Sequence, residues 1–246
     1  MKKNSLIHVG CSVGDKNICK LIEDKKITLA IFIDANLEAL KTCRSFHEDY
    51  FKDKNNQTQF EYIHCAISTV DTKKHPYIDF HIPIDNNTSE HGSLRAEIIA
   101  NNIQSEKYKT IKVQNINITD IIRSYTLTTI DYLILDVEGH DEYITQQLFT
   151  GGFLVPLISD TNPTGMEPPI VDIRNFQFEF SHWGGFNKYN TEKSCTEIGY
   201  ILYVCVSNGY TVFKSSAGDI VITKDPMTSF FIPDAYKHGN AHGWVM

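Results

Sequence analysis

No two of the six cysteines stand in a C-x-x-C spacing, which excludes a zinc knuckle and gives no sign of a disulfide framework. No apolar run approaches the roughly 20 residues that cross a bilayer. The opening "MKKNSLIHVG" has a positive start but too few apolar residues before Gly10 for a secretion signal. A cytoplasmic protein with reduced thiols and no membrane span is therefore expected. Positive charge is also short: 23 Lys and Arg against 30 Asp and Glu leave a net charge of -7, which argues against a broad grip on nucleic acid or anionic lipid. Internal repeats, low-complexity tracts and dividing linkers are absent. With 41% apolar and 22% charged residues, the 246-residue chain reads as one ordinary globular α/β domain spanning 1–246.

What is present alternates between strand and helix patterns. "SLIHV" (5–9) is a short apolar strand, and Ile18, Leu21 and Ile22 fall at helical spacing after Gly14. "TLAIFID" (28–34) is a second buried strand. Leu37, Leu40, Cys43, Phe46 and Tyr50 then repeat near a 3.6 period, with Asn36 placed to cap that helix. "FEYIHCAIS" (60–68) reads as a third strand, and this alternation is the pattern of βαβ units on a parallel sheet. The stretch 69–108 is irregular, with prolines in "PYIDFHIPID" that suit an edge strand. "NITDIIRSY" predicts a short helix, and "IDYLILDVEGHDEYI" a strand, an acidic turn and a helix. "DIRNFQFEFS" predicts a strand, "EKSCTEIGYILYVCVSNG" a helix ending at Gly209, and "YTVFK" with "DIVITK" an antiparallel pair.

The turn after the first strand, Gly10-x-x-x-Gly14, lets backbone approach a ligand closely, and the helix behind it offers unpaired N–H groups. Asp34 ends the second strand 20 residues after Gly14. In a doubly wound sheet the ends of strands one and two lie side by side, so Asp34 is placed for the hydroxyls of a ribose. A dinucleotide fingerprint wants glycine at the third position of the turn, where Ser12 stands, so S-adenosylmethionine fits better than NAD.

These blocks resemble the FkbM-type S-adenosylmethionine-dependent methyltransferases. "HVGCSVGD" is similar to that family's D-V-G-A-N-x-G-D turn, "FIDAN" to its F-E-P-N, and "CAIS" to the segment closing its third strand. "GSL" (92–94) is similar to an S-x-L segment, "IDYLILDVEGHDEYI" to I-D-x-I-K-I-D-V-E-G-x-E, and "SNGYTVF" to a C-terminal G-Y-x-V-Y. The resemblance implies a Rossmann-like, doubly wound, mostly parallel seven-stranded sheet with an antiparallel C-terminal strand. It also implies methyl transfer from S-adenosylmethionine, leaving S-adenosylhomocysteine, most often to a hydroxyl of a sugar, glycan or small natural product. Carried over, Gly10, Cys11, Ser12 and Gly14 form the turn at the methionine end, with His8 where the family has its first Asp. Asp34, Ala35 and Asn36 serve the ribose, and Cys65, Ala66 and Ile67 border the adenine. Asp136 and Glu138 stand at the mouth of the fourth strand, near the methyl group. Three positions depart: His8 for Asp, Ala35 for Pro, and Ile134 for the Lys before D-V-E-G. A degenerate module that binds the cofactor without transfer is the alternative.

For the acceptor proton, the strand assignments place His140 and His182 at the rim, with Asp136, Glu138 and Glu179 as carboxylate bases or orienting partners. In a rival, metal-assisted reading Asp136 and Glu138 hold Mg2+. The metal-free version is preferred, since no further well-spaced ligands appear. Asp141 and Glu142 are read as acids favouring a helix N-terminus, and His238 and His242 as part of a terminal tail. The insertion at about 69–108 is expected to shape the acceptor site.

Overall fold

A computed structural model describes residues 4–84, 92–96, 107–155, 171–179, 192–214 and 219–224, with backbone alone at 192–196 and 214. His182, His238 and His242 lie outside the described residues, as do 85–91 and 97–106 of the insertion.

The elements run β1 (Ser5–Val9), α1 (Lys16–Asp24), β2 (Leu29–Asp34), α2 (Leu37–Phe51), β3 (Gln59–His64), β4 (Ala66–Ile67), β5 (Tyr77–Pro83) and β6 (Tyr108–Ile116). They continue through α3 (Ile118–Ser124), β7 (Thr129–Ile130), β8 (Tyr132–Leu135), α4 (Asp141–Thr150), β9 (Asp172–Ile173) and β10 (Asn175–Glu179). Last come α5 (Glu192–Ser207), β11 (Thr211–Lys214) and β12 (Asp219–Thr223).

Seven strands form one sheet in the order β11-β12-β10-β8-β1-β2-β3. β12 is antiparallel to both its neighbours while the other pairings are parallel, so the expected antiparallel C-terminal strand is observed. β1 and β2 are buried at every position, as strands covered on both faces must be. Alternate residues divide between two apolar layers. Ile7, Val9, Leu133, Leu135, Phe176 and Phe178 pack with α3, α4 and α5 on one face; Leu6, Phe32 and Ile134 pack with α1 and α2 on the other. Fully burying each such large side chain contributes about 1.5–3 kcal/mol.

Caps set the helix starts after β1 and β2. The Asp15 carboxylate accepts from the Asn17 N–H at 2.7 Å, and the Asn36 side chain accepts from the Glu38 N–H at 3.2 Å, as its position predicts. α5 ends at Ser207, two residues before Gly209, whose φ of +84° turns the chain.

The strand expected over 60–68 is instead two. β3 stays in register with β2 only to Asp34↔His64, and beyond Cys65 the chain leaves the sheet so that Ala66 and Ile67 pair with Asn115 and Ile116 of β6. Asn115 holds that divergence. It is buried, its carbonyl oxygen accepts from Ser68 Oγ at 2.7 Å, and its amide donates to the His75 carbonyl at 2.9 Å. The product is a second, three-stranded sheet in the order β4-β6-β5. β5 is its edge strand and ends at Pro83, where the missing N–H costs no ladder bond.

Candidate functional site

The carboxyl ends of β1, β2 and β8 meet in one cleft, whose wall includes Gly10, Ser12, Asp34, Ala35, Asn36, Cys65, Ala66, Ile67, Asp136 and Glu138. All ten are among the residues singled out from the sequence, drawn from four separate stretches of it; His8, Cys11, Gly14, His140 and Glu179 are not among the lining residues. Val9, Ile33 and Val137 complete the strand ends. Phe80, Gly92 and Leu94 line it as well, and sequence reasoning missed all three as site residues.

Gly10 has φ +75° and its N–H donates to the Ile33 carbonyl at 2.8 Å; a Cβ there would stand 1.7 Å from the Asp136 carbonyl oxygen. Close backbone approach is therefore built in between β1 and β8. Ser12 occupies the left-handed region at φ +48°, and its hydroxyl is buried with no hydrogen-bond partner among the described residues. A buried polar atom in a cleft wall without a partner is a place for a ligand atom. Asp34 is less free than its position suggests. One oxygen accepts from the Ser12 N–H at 2.8 Å and the other from the Asn36 N–H at 2.7 Å. Each oxygen keeps a second lone pair, so the carboxylate can hold the turn and still accept from a ligand. Burial pushes its pKa up to about 6, against the pull of those two N–H groups.

Other expected residues face elsewhere. Cys11 is buried in the layer beneath the sheet with Cys19 and Cys43. Gly14, at φ +96°, lies against the Phe46 ring of α2, which a Cβ would meet at 2.8 Å. His8 is buried on the same lower face, its ring 6.1 Å from that of Phe32, and burial together with His47 pushes its pKa down to about 4. His8 is also the register partner of Ile134, and Ile134 is buried with it. Two of the three departures from the pattern thus face each other across β1 and β8. Where that pattern puts an Asp and a Lys on adjacent strands, this chain has a neutral histidine against isoleucine.

At the far end of the cleft, the turn after β8 is strained and braced. Glu138 has φ +53° and Gly139 φ +92°; Ser93 Oγ donates to the Glu138 carbonyl at 2.8 Å, and the Asp141 carboxylate accepts from the Val137 N–H at 3.2 Å. Crowding by protein, then the charges of Glu138, Asp141, Glu179 and Asp219, push the Asp136 pKa well above the usual carboxylate range. Asp136 is open to solvent at the cleft mouth, which tempers both the desolvation and the repulsion. Asp141 is buried, and desolvation with Glu179 nearby lifts its pKa to about 8. It also opens α4. Glu179 ends β10 on this rim but does not line the cleft.

His140 stands just outside the cleft wall, its ring 5.1 Å from that of Tyr143, and burial with Arg95 nearby pushes its pKa down to about 4. Among the described residues no group of three or more His, Cys, Asp and Glu is placed to hold a metal ion, and no helix is long and apolar enough to cross a membrane.

No curated protein and no solved structure matches the chain. The family described as "Methyltransferase FkbM domain" matches residues 15–145, just over half of it, from the cap of α1 through the turn after β8 and into α4. With that match, the chain belongs to the FkbM methyltransferase family.

Proposed function

We propose that the protein is an S-adenosylmethionine-dependent O-methyltransferase acting on a hydroxyl of a sugar, glycan or small natural product. The carrying observation is the cleft itself, where Gly10, the unpartnered Ser12 hydroxyl and the Asp34 carboxylate converge at the ends of β1 and β2. We read the large sheet as the doubly wound, Rossmann-like sheet of class I methyltransferases; helices on both faces support it. The free thiols of Cys11, Cys19, Cys43, Cys65 and Cys205 suit a cytoplasmic protein.

Gly10 and Ser12 are assigned to the methionine end, Asp34 with Ala35 and Asn36 beside it to the ribose, and Cys65, Ala66 and Ile67 to the base. When bound, the cofactor supplies an electrophilic methyl group. The protein aligns the acceptor oxygen and removes its proton. Glu138, which lines the cleft, is the assigned base, with Asp136 beside it. Set back from the wall, His140 supports the turn in this reading, and Glu179 orients Asp136. The insertion at about 69–108 contributes to the acceptor site. In a metal-assisted rival, Asp136 and Glu138 hold Mg2+.

A non-transferring module is disfavoured because His8 and Ile134 lie beneath the sheet rather than in the cleft. The test is ligand preference. S-adenosylhomocysteine at about 100 times its dissociation constant, binding only the native state, adds about 2.7 kcal/mol. Thermal melting then rises by roughly 5–11 °C at about 2–4 °C per kcal/mol for a chain of this size. NAD leaves it unchanged; a shift with NAD and none with S-adenosylhomocysteine ends the methyltransferase reading.

A further inference from the structure

Phe80 comes from β5, in the segment that leaves the main sheet, yet it lines the same cleft as Asp34. Its ring is 7% exposed and clusters with Ala35, which follows Asp34, and with Ala66 beyond β3. The phenylalanine and the two alanines together form an apolar part of the cleft wall. Gly92 completes it. A Cβ at Gly92 would stand 2.6 Å from the tip of the Phe80 ring, so glycine leaves the ring its seat. The neighbouring bridge keeps this seat in place: His81 and Ser93 exchange backbone hydrogen bonds of 2.9 and 3.0 Å, and Ser93 Oγ reaches the Glu138 carbonyl.

Direction along the cleft identifies the occupant. In the sheet order β8-β1-β2-β3, Asp136 and Gly10 follow strands on one side of β2, while Cys65 follows the strand on the other side, and Phe80 clusters with Ala35 and Ala66 there. With a ribose at Asp34, the group that continues toward Phe80 is the flat, apolar-faced base. We propose that Phe80, seated on Gly92, is the aromatic wall against which the adenine of the cofactor stacks; this rests on the cofactor reading above. Part of the 69–108 insertion thereby grips the cofactor, beyond any role toward the acceptor.

Stacking of a base on an aromatic side chain is lost on aliphatic substitution, a change of about 5- to 150-fold in affinity. Phe80→Leu should therefore weaken calorimetric binding of S-adenosylhomocysteine by that factor. Binding of S-ribosylhomocysteine, the same thioether without the base, should stay unchanged. Far-UV circular dichroism checks that the variant is folded, and Phe80→Met carries the same expectation should the leucine fail to fold. Equal loss for both ligands makes Phe80 a merely structural wall and overturns the proposal, as does unchanged S-adenosylhomocysteine affinity. Failure of the wild-type protein to bind S-adenosylhomocysteine overturns instead the cofactor reading beneath it.

Discussion

Gly10→Ala is expected to lower the melting temperature by about 4–20 °C and to weaken S-adenosylhomocysteine binding by about 100-fold or more. Two costs add. A left-handed backbone conformation costs an alanine about 1–2 kcal/mol, and φ at Gly10 is +75°. The new Cβ also stands 1.7 Å from the Asp136 carbonyl oxygen, backbone against backbone, with no side chain to swing away. Relief requires parting the ends of β1 and β8, held by the Asp136 N–H to Val9 carbonyl bond at 3.0 Å, and overpacking of this kind costs about 1–3 kcal/mol more. Gly199→Ala is the control. That glycine sits exposed in α5 with nothing within 4 Å of a Cβ, so alanine there should be neutral or stabilising by up to about 1 kcal/mol. Differential scanning calorimetry of the two variants decides. Equal, small shifts would mean the approach of β1 to β8 is not tight.

The second large effect is kinetic. Glu138→Gln should slow methyl transfer by about 100- to 10,000-fold while leaving S-adenosylhomocysteine affinity nearly unchanged, the pattern of a lost general base. Gln keeps the shape of Glu138 and its carbonyl bond with Ser93. His140→Ala should cost much less, because the ring lies outside the cleft wall. The ranking is measured once an acceptor is in hand, by single-turnover rates for the two variants. Full activity in Glu138→Gln would remove that carboxylate from the proton's path. Abolition of wild-type activity by a chelator, restored by magnesium, would favour the metal-assisted rival.

Where the site sits was legible because its signals are local. A glycine turn after an apolar strand, an acid at the end of the next and a second acidic turn after "DYLIL" each follow from short-range pattern, and parallel pairing brings their ends together. Side-chain direction was less legible. Cys11 and Gly14 belong to the turn but face α2, and a five-residue motif does not say which of its members look into the cleft. His8 and Ile134 read as two separate defects because their pairing across β1 and β8 is a matter of register, which no single strand displays. The break at Cys65 was hidden for a similar reason: "FEYIHCAIS" is continuous as an apolar pattern, and the residue that diverts it, Asn115, lies 50 positions further on. Phe80 and Gly92 were missed because their place in the cleft wall depends on a contact between two residues that are unremarkable apart.

Asp34 is assigned to hold the ribose of an adenosine cofactor while bracing the glycine turn, and calorimetric titration with S-adenosylhomocysteine checks that assignment. At pH 7.5 Asp34, with its pKa near 6, is ionised and accepts fully; affinity should decline as pH falls through about 6, where protonation removes an acceptor. Wild-type protein should bind at one site. Asp34→Asn, checked to be folded, should bind about 10- to 150-fold more weakly, the equivalent of about 1.5–3 kcal/mol for charge-assisted hydrogen bonds. Equal affinity in a folded Asp34→Asn variant, with no dependence on pH between 5 and 7.5, would contradict the assignment.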